Sequence, residues 1–185
     1  VNASAVIVPK YGREIADALG ERLGPLNPLP VDDPNAVLSG FANPKMGEWI
    51  NSTLESDLAE KGAYDATAPF RNGSRLLEAE GGTYLRPTIV HCDSMEHVLA
   101  NREFLCPYAS VVEVPQAEML RSIGPTLVVT AITKDESFKR QLLGASNVER
   151  LNIGPISTMK ISWDQPHEGN MFEFLYKRRS IGMAA

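Results

Sequence analysis

Apolar positions along the chain fall into short continuous runs alternating with helical stripes. Ala5–Val8 is a four-residue apolar run ended by Pro9, the pattern of a strand buried on both faces. Gly12 then opens a stretch in which Ile15, Ala16, Leu19 and Leu23 recur at helical spacing, closed by Gly24-Pro25. The segment from Gly24 to Pro34 is rich in Pro and Gly, so it reads as an irregular surface connection. A short helix is expected at Asn35–Phe41, and a longer one from Met46 to Lys61. In the longer helix Met46, Trp49, Ile50, Leu54 and Leu58 form one stripe assigned to the core, and Gly62 provides the stop.

Ala63–Thr67 and Arg75–Leu77 are weaker strand candidates around a polar turn at Arg71-Asn72-Gly73-Ser74. Two stronger ones come next, Tyr84–Val90 and Ala109–Val114, joined by a polar crossover. Met119–Ile123 reads as a helical turn, Leu127–Ile132 as a β-branched strand, Glu136–Leu143 as a helix behind an acidic cap, and Val148–Ile153 as a strand. Strands alternating with helices predict an α/β fold: a mostly parallel sheet with helices on both faces, in a single domain. The expected division is an α/β domain over 1–170 and a C-terminal strand or tail over 171–185. Within that tail Phe172–Tyr176 alternates as an edge strand would.

A chain of 185 residues can bury one good core. Its net charge of −5 argues against nucleic acid as a partner, because phosphate recognition needs a basic face. Lys177-Arg178-Arg179 is too short a cluster to change that. No run reaches the ~20 apolar residues that cross a membrane, so a cytoplasmic location without membrane partners is expected. Cys92 and Cys106 have neither metal-ligand spacing nor a disulfide framework, which fits a reducing compartment, and no metal site is expected. The start at Val1-Asn2-Ala3-Ser4, with no Met and a strand close behind, reads as a piece of something longer.

Candidate chemistry centres on Glu103, which stands ahead of a Pro-punctuated strand entry beside Phe104 and Leu105. A carboxylate there suits the hydroxyls and the flat face of a ligand, and the plainer alternative is a surface Glu paired with Arg102. His91 beside Cys92 invites a nucleophile pair, but strand neighbours point to opposite faces. Cys106 reads better as a small buried residue than as a reactive thiol. His167-Glu168 lacks partners at metal spacing.

Two motifs carry a resemblance. Gly82-Thr83-Tyr84-Leu85-Arg86-Pro87-Thr88, then Arg102-Glu103-Phe104-Leu105-Cys106-Pro107, resemble in order and separation the "Gly-x-Tyr…Pro-Thr" and "Glu-x-Phe-Gly-Pro" elements of the aldehyde dehydrogenase superfamily. Thr126–Lys134 with Asp135, Arg150–Gly154 and the helix leading to Gly62-Ala63 are similar to further family segments. The opening residues are similar to the stretch directly after the family's catalytic cysteine. The family's Phe and Gly before the Pro are Leu105 and Cys106 here, and its C-terminal "Pro-Phe-Gly-Gly" is replaced by Gln165–Met171, so a divergent substrate pocket is implied.

The resemblance implies the catalytic domain of an NAD- or NADP-dependent enzyme that oxidises an aldehyde to a carboxylic acid through a cysteine thiohemiacetal. It places the nucleophile just ahead of Val1, hence no catalytic residue in this chain. Most cofactor contacts would lie in a missing N-terminal cofactor-binding domain. Glu103 and Leu105 would touch the nicotinamide end of the cofactor, and Asn152, Ile156 and His167 would line the aldehyde pocket. Partners would be the aldehyde, that N-terminal domain and further copies of the chain in a homo-oligomer. The alternative is a non-catalytic module that keeps the fold for assembly or small-molecule binding.

Overall fold

A computed structural model describes residues 3–80, 82–162 and 180–184. The chain forms two compact units, Asn2–Pro115 and Gln116–Ala185. Both are α/β in construction, and parallel strand pairs dominate. Among the described residues no helix is long and apolar enough to cross a membrane.

The first unit is built on a four-stranded sheet. β1 (Ala5–Val8) pairs in parallel with β6 (Tyr108–Glu113), β6 in parallel with β5 (Thr88–Cys92), and β5 antiparallel with β2 (Ala63–Asp65). β1 lies on the sheet's edge and is half-buried, which corrects the expectation of a strand covered on both faces. Its apolar run serves one face and the pairing with β6, and an edge strand needs no more.

Side-chain alternation along β6 assigns its two faces. Ala109 and Val111 turn toward α1 (Gly12–Leu23), where they join Ala16, Ala66 and Ile89 in a core that Ile15, Leu19 and Leu23 flank. The helix seats closely because its buried face carries Gly12, Ala16 and Gly20. A Cβ at Gly20 would stand 2.7 Å from the Ala66 carbonyl carbon and closer still to its oxygen. At the N-terminus of α1, Tyr11 takes φ 65° and the Glu113 carboxylate accepts from Gly12 N–H at 2.6 Å, in place of a local side-chain cap.

The opposite face holds Tyr108, Ser110 and Val112. Tyr108 donates its hydroxyl to the Leu99 carbonyl, and Ser110 Oγ donates to the Ala100 carbonyl at 3.2 Å, pinning a 3-10 turn at Val98–Asn101 onto the sheet. α2 (Pro44–Leu58) covers this side of the unit. Asn43 caps it by accepting from Lys45 N–H at 3.2 Å, and Pro44 occupies the first turn, where its missing N–H does no harm.

Three sequence expectations change in this unit. The expected helix at Asn35–Phe41 is absent: Phe41 instead bridges to Thr83, an extended contact that a helix could not make. The expected Tyr84–Val90 strand is two strands, β4 (Gly82–Leu85) and β5, parted at Arg86-Pro87. Pro87 has no N–H for a ladder, and β4 leaves the main sheet to form a hairpin with β3 (Leu76–Ala79). The α2 stripe is split: Ile50 and Leu54 are buried, whereas Trp49 is 57% and Met46 42% exposed.

In the second unit, β7 (Thr126–Ala131), β8 (Val148–Ile153) and β9 (Ser180–Met183) form a wholly parallel three-stranded sheet in that order. α3 (Met119–Ser122) precedes it. α4 (Glu136–Gly144) links β7 to β8 and buries Phe138 and Leu142. Asp135 caps α4 through Ser137 N–H at 2.8 Å and Phe138 N–H at 3.1 Å. A bond from Gln116, together with those two, holds its carboxyl below the usual range. The expected strand at Phe172–Tyr176 lies outside the described residues.

Candidate functional site

Residues 103–108 lead into β6 through bends at Leu105, Cys106 and Pro107, with Tyr108 N–H bonded back to the Cys106 carbonyl at 2.8 Å, and their exposure alternates. Phe104, Cys106 and Tyr108 point inward, at 6%, 6% and 3% exposure, while Leu105 is 85% exposed. Glu103, Leu105 and Pro107 are the solvent-exposed positions along this edge.

Two anchors hold that edge. Phe104 packs edge-on to Tyr108 with ring centroids 5.1 Å apart, and to Trp49 at 6.3 Å. Arg102 Nε donates to Asp57 Oδ2 at 3.0 Å, tying the strand entry to α2. Arg102 is thus committed to Asp57 and not to its neighbour Glu103. The Glu103 carboxylate has no hydrogen bond or ion pair among the described residues.

The thiols next to this edge are not poised for chemistry. Burial pushes Cys106 up to about 11 and Cys92 up to about 12, so both are protonated at neutral pH. Cys92 and His91 face opposite sides of β5, and His91 stacks on Tyr64 with centroids 5.2 Å apart. Its Nδ1 lies 3.6 Å from Asp93 Oδ1. Tyr64 donates its hydroxyl to Asp17 at 2.8 Å, under the Arg13 guanidinium 5.1 Å from its ring. Burial first, and that hydrogen bond second, push Tyr64 up to about 12.

In the second unit, Asn152 is 1% exposed on β8. It donates Nδ2 to Thr130 Oγ1 at 3.1 Å, and that hydroxyl donates to the Ile156 carbonyl at 3.3 Å. Asn152 and Ile156 are thereby joined through Thr130, with the Ile156 side chain half-buried. The buried Arg150 donates to the carbonyls of Thr158 and Lys160, pinning the segment after β8 onto the sheet. His167 lies outside the described residues. Among the described residues, no three of His, Cys, Asp and Glu gather as metal ligands.

Sequence reasoning missed a buried charged network in the first unit. Asp65 Oδ2 accepts from Arg71 Nη2 and, at 2.8 Å, from Arg75 Nη2. Its Oδ1 accepts from the N–H and hydroxyl of Thr67. Arg75 Nη1 reaches Glu55 Oε1 at 2.7 Å and Asn51 Oδ1 at 3.2 Å. Both arginine side chains are 5% exposed, and they line a cavity of about 470 Å³ with Glu55, Leu58, Tyr64 and Ser74. The readable signal was Asp65-x-Thr67 and then arginines four residues apart, in a stretch whose weak strand pattern drew attention elsewhere.

No family profile matches the sequence, and no curated protein does. Solved structures do. An aldehyde dehydrogenase from Bacillus cereus in its NAD+ complex matches 83% of this chain with a TM-score of 0.67 at 17% identity. Methylmalonate-semialdehyde dehydrogenase from Oceanimonas doudoroffii matches 81% with a TM-score of 0.66 at 16% identity. An indole-3-acetaldehyde dehydrogenase complexed with NAD+ matches 81% with a TM-score of 0.66 at 20% identity. This chain spans only 31%, 31% and 30% of those three proteins. Across four-fifths of its length, the chain carries the fold of part of an aldehyde dehydrogenase.

Proposed function

We propose that this chain is the catalytic-domain portion of an NAD(P)-dependent aldehyde dehydrogenase-like oxidoreductase, oxidising an aldehyde to a carboxylic acid. The observation that carries the reading is Glu103: an uncompensated carboxylate on an exposed rim, beside an exposed Leu105, on a fold shared with these dehydrogenases. One carboxylate can accept from two adjacent sugar hydroxyls at once, and an apolar side chain next to it suits the ring they carry. An accepting carboxylate beside an apolar side chain therefore suits the nicotinamide-ribose end of a dinucleotide.

In this reading the dinucleotide, when bound, takes up the hydride that leaves the substrate carbon. Glu103 orients it by accepting from the ribose hydroxyls. Leu105 packs against it and excludes water from that side. Arg102 and Phe104 keep the rim in place through Asp57 and Tyr108. Ile156 contributes an apolar wall to the aldehyde pocket, and Asn152 supports that wall from beneath through Thr130. The nucleophilic cysteine and most dinucleotide contacts would come from the part of such an enzyme that this chain, spanning 31% of the Bacillus cereus dehydrogenase, does not cover.

The test is aldehyde-dependent reduction of NAD+ and NADP+ by the full-length protein, with Glu103→Gln beside it. Losing a charge-assisted hydrogen bond worth about 1.5–3 kcal/mol should raise the KM for the dinucleotide roughly ten- to a hundredfold. Absence of any aldehyde-dependent reduction would refute the reading. A Glu103→Gln enzyme with unchanged dinucleotide KM would remove Glu103 from it.

A further inference from the structure

The cavity at the buried arginine pair has the makings of a second binding site, and nothing in the dehydrogenase reading uses it. Its floor is charged. Asp65 already accepts from four donors, namely Arg71, Arg75 and the backbone and hydroxyl of Thr67, so its capacity is filled. Asp65 cannot neutralise two guanidinium groups. Glu55 supplies the second negative charge, yet its side chain is 64% exposed while the Arg75 it contacts is 5% exposed.

That contrast is the key. A side chain two-thirds in water is held weakly and can swing away with its hydration intact. The guanidinium it covers is fixed in the wall of the unit by Asp65 and Asn51. With Glu55 withdrawn, the network carries one net positive charge over Arg71, Arg75 and Asp65. Arg75 Nε is also buried and without a hydrogen-bond partner, so the surrounding side chains do not fully satisfy this guanidinium. Arg86 adds to the cationic field at Arg71, and its Nη1 donates to the Asn72 carbonyl, steadying the turn that carries Gly73 and Ser74 into the lining.

The remaining walls are apolar: Leu58, Ala63, Ala68 and the flank of Tyr64. The space is about 470 Å³ and lies open to solvent over much of its mouth, so a small ligand would sit in it partly exposed.

We propose that this cavity binds a small organic monoanion, a carboxylate with a compact apolar body, in which the ligand carboxylate displaces Glu55 from Arg75. Withdrawal of Glu55 frees the Nη1 donor it occupies, and a ligand carboxylate takes over that charge-assisted bond while Asp65 and Asn51 keep the rest of the guanidinium. One vacated donor suits a single carboxylate better than a doubly charged phosphate. The hydrocarbon walls take the body. Glu55 then acts as a resident competitor that keeps the arginine paired when no ligand is bound.

The experiment is a titration of the full chain by amide NMR with benzoate, inorganic phosphate and benzylamine as separate probes. Benzoate should give saturable shifts at Ser74, Arg75 and Ala63, and benzylamine none. Glu55→Gln removes the competitor and its repulsion from a position that is mostly in water, so the fold should survive. It should tighten benzoate by about tenfold. Arg75→Lys should weaken it, with circular dichroism checking that the variant is folded. The absence of saturable benzoate shifts in both wild type and Glu55→Gln would overturn the proposal. So would an unchanged benzoate affinity in Glu55→Gln. Phosphate binding more tightly than benzoate would overturn the ligand class.

Discussion

Replacing Asp65 by Ala strands two buried cations, and the loss can be worked from the geometry. Arg71 and Arg75 are each 5% exposed and both reach Asp65 Oδ2. At 2.8 Å and an effective dielectric near 20, one such contact is worth about 6 kcal/mol of gross attraction. Most of that is offset by the desolvation of the ions, and the net effect of removing one partner from a buried pair is about 3–5 kcal/mol.

The two arginines do not suffer equally. Arg75 keeps Glu55 and Asn51. Arg71 keeps only long contacts to neutral oxygens, Thr67 Oγ1 at 3.3 Å and the Pro87 carbonyl at 3.4 Å. Burial already acts to lower the pKa of Arg71, with the neighbouring Asp65 opposing it. The expected loss is therefore about 3–5 kcal/mol, carried mainly by Arg71. Urea unfolding monitored by circular dichroism measures it, and at this chain length the thermal midpoint should fall by about 6–20 °C. In a double-mutant cycle, Asp65→Ala with Arg71→Ala should cost less than the sum of the two single changes, because the orphaned cation is gone. A loss under about 1 kcal/mol, the range of exposed pairs, would refute the reasoning: the network would then be solvated and only incidentally charged.

Three further outcomes rest on single contacts. Gly20→Ala places a Cβ 2.7 Å from the Ala66 carbonyl carbon, a backbone atom that cannot step aside. The helix must move off the sheet, and a loss at or above the upper end of the overpacking range, about 1–3 kcal/mol, should appear in the urea midpoint. Tyr108→Phe leaves the buried Leu99 carbonyl without its hydroxyl donor, for a loss of about 1–3 kcal/mol measured the same way. Burial raises the Cys92 thiol from 9.0 to about 12. The folded state then holds a proton that the unfolded chain releases, so the contribution is complete below pH 9.0 and is lost as pH rises toward 12. Stability should fall with alkali over that window, Cys92→Ala should flatten the fall, and native protein should resist thiol reagents at neutral pH.

Much of the fold was legible because its elements announce themselves locally. α1 and α4 can be read from helical spacing and from a cap at Asp135, β7 from a β-branched run and β8 from a short strand pattern. Failures came where tertiary context decides. The stripe on α2 correctly marks Ile50 and Leu54, but periodicity does not say how wide the covered face is, and Trp49 and Met46 fall outside it. Pro87 stands inside the Tyr84–Val90 strand candidate, yet only the pairing of β4 with β3 turns one strand into two. The Asp65 network was not legible because charged residues read as surface, and burial of an ion pair is a property of neighbours that the local sequence does not name.

The rim at Glu103 illustrates the same boundary between local and tertiary information. Its sequence offers two partners for one guanidinium: Glu103 next door and Asp57 on a helix 45 residues away. Asp57 is 9% exposed, and a carboxylate buried to that degree without a cation would be far more costly than a solvated one. Arg102 therefore serves Asp57, and Glu103 stays in water at little cost. The arrangement makes the exposed carboxylate available. A hydroxyl-bearing ligand can take it without first breaking an ion pair, whereas a Glu held by Arg102 would have to give one up before binding anything.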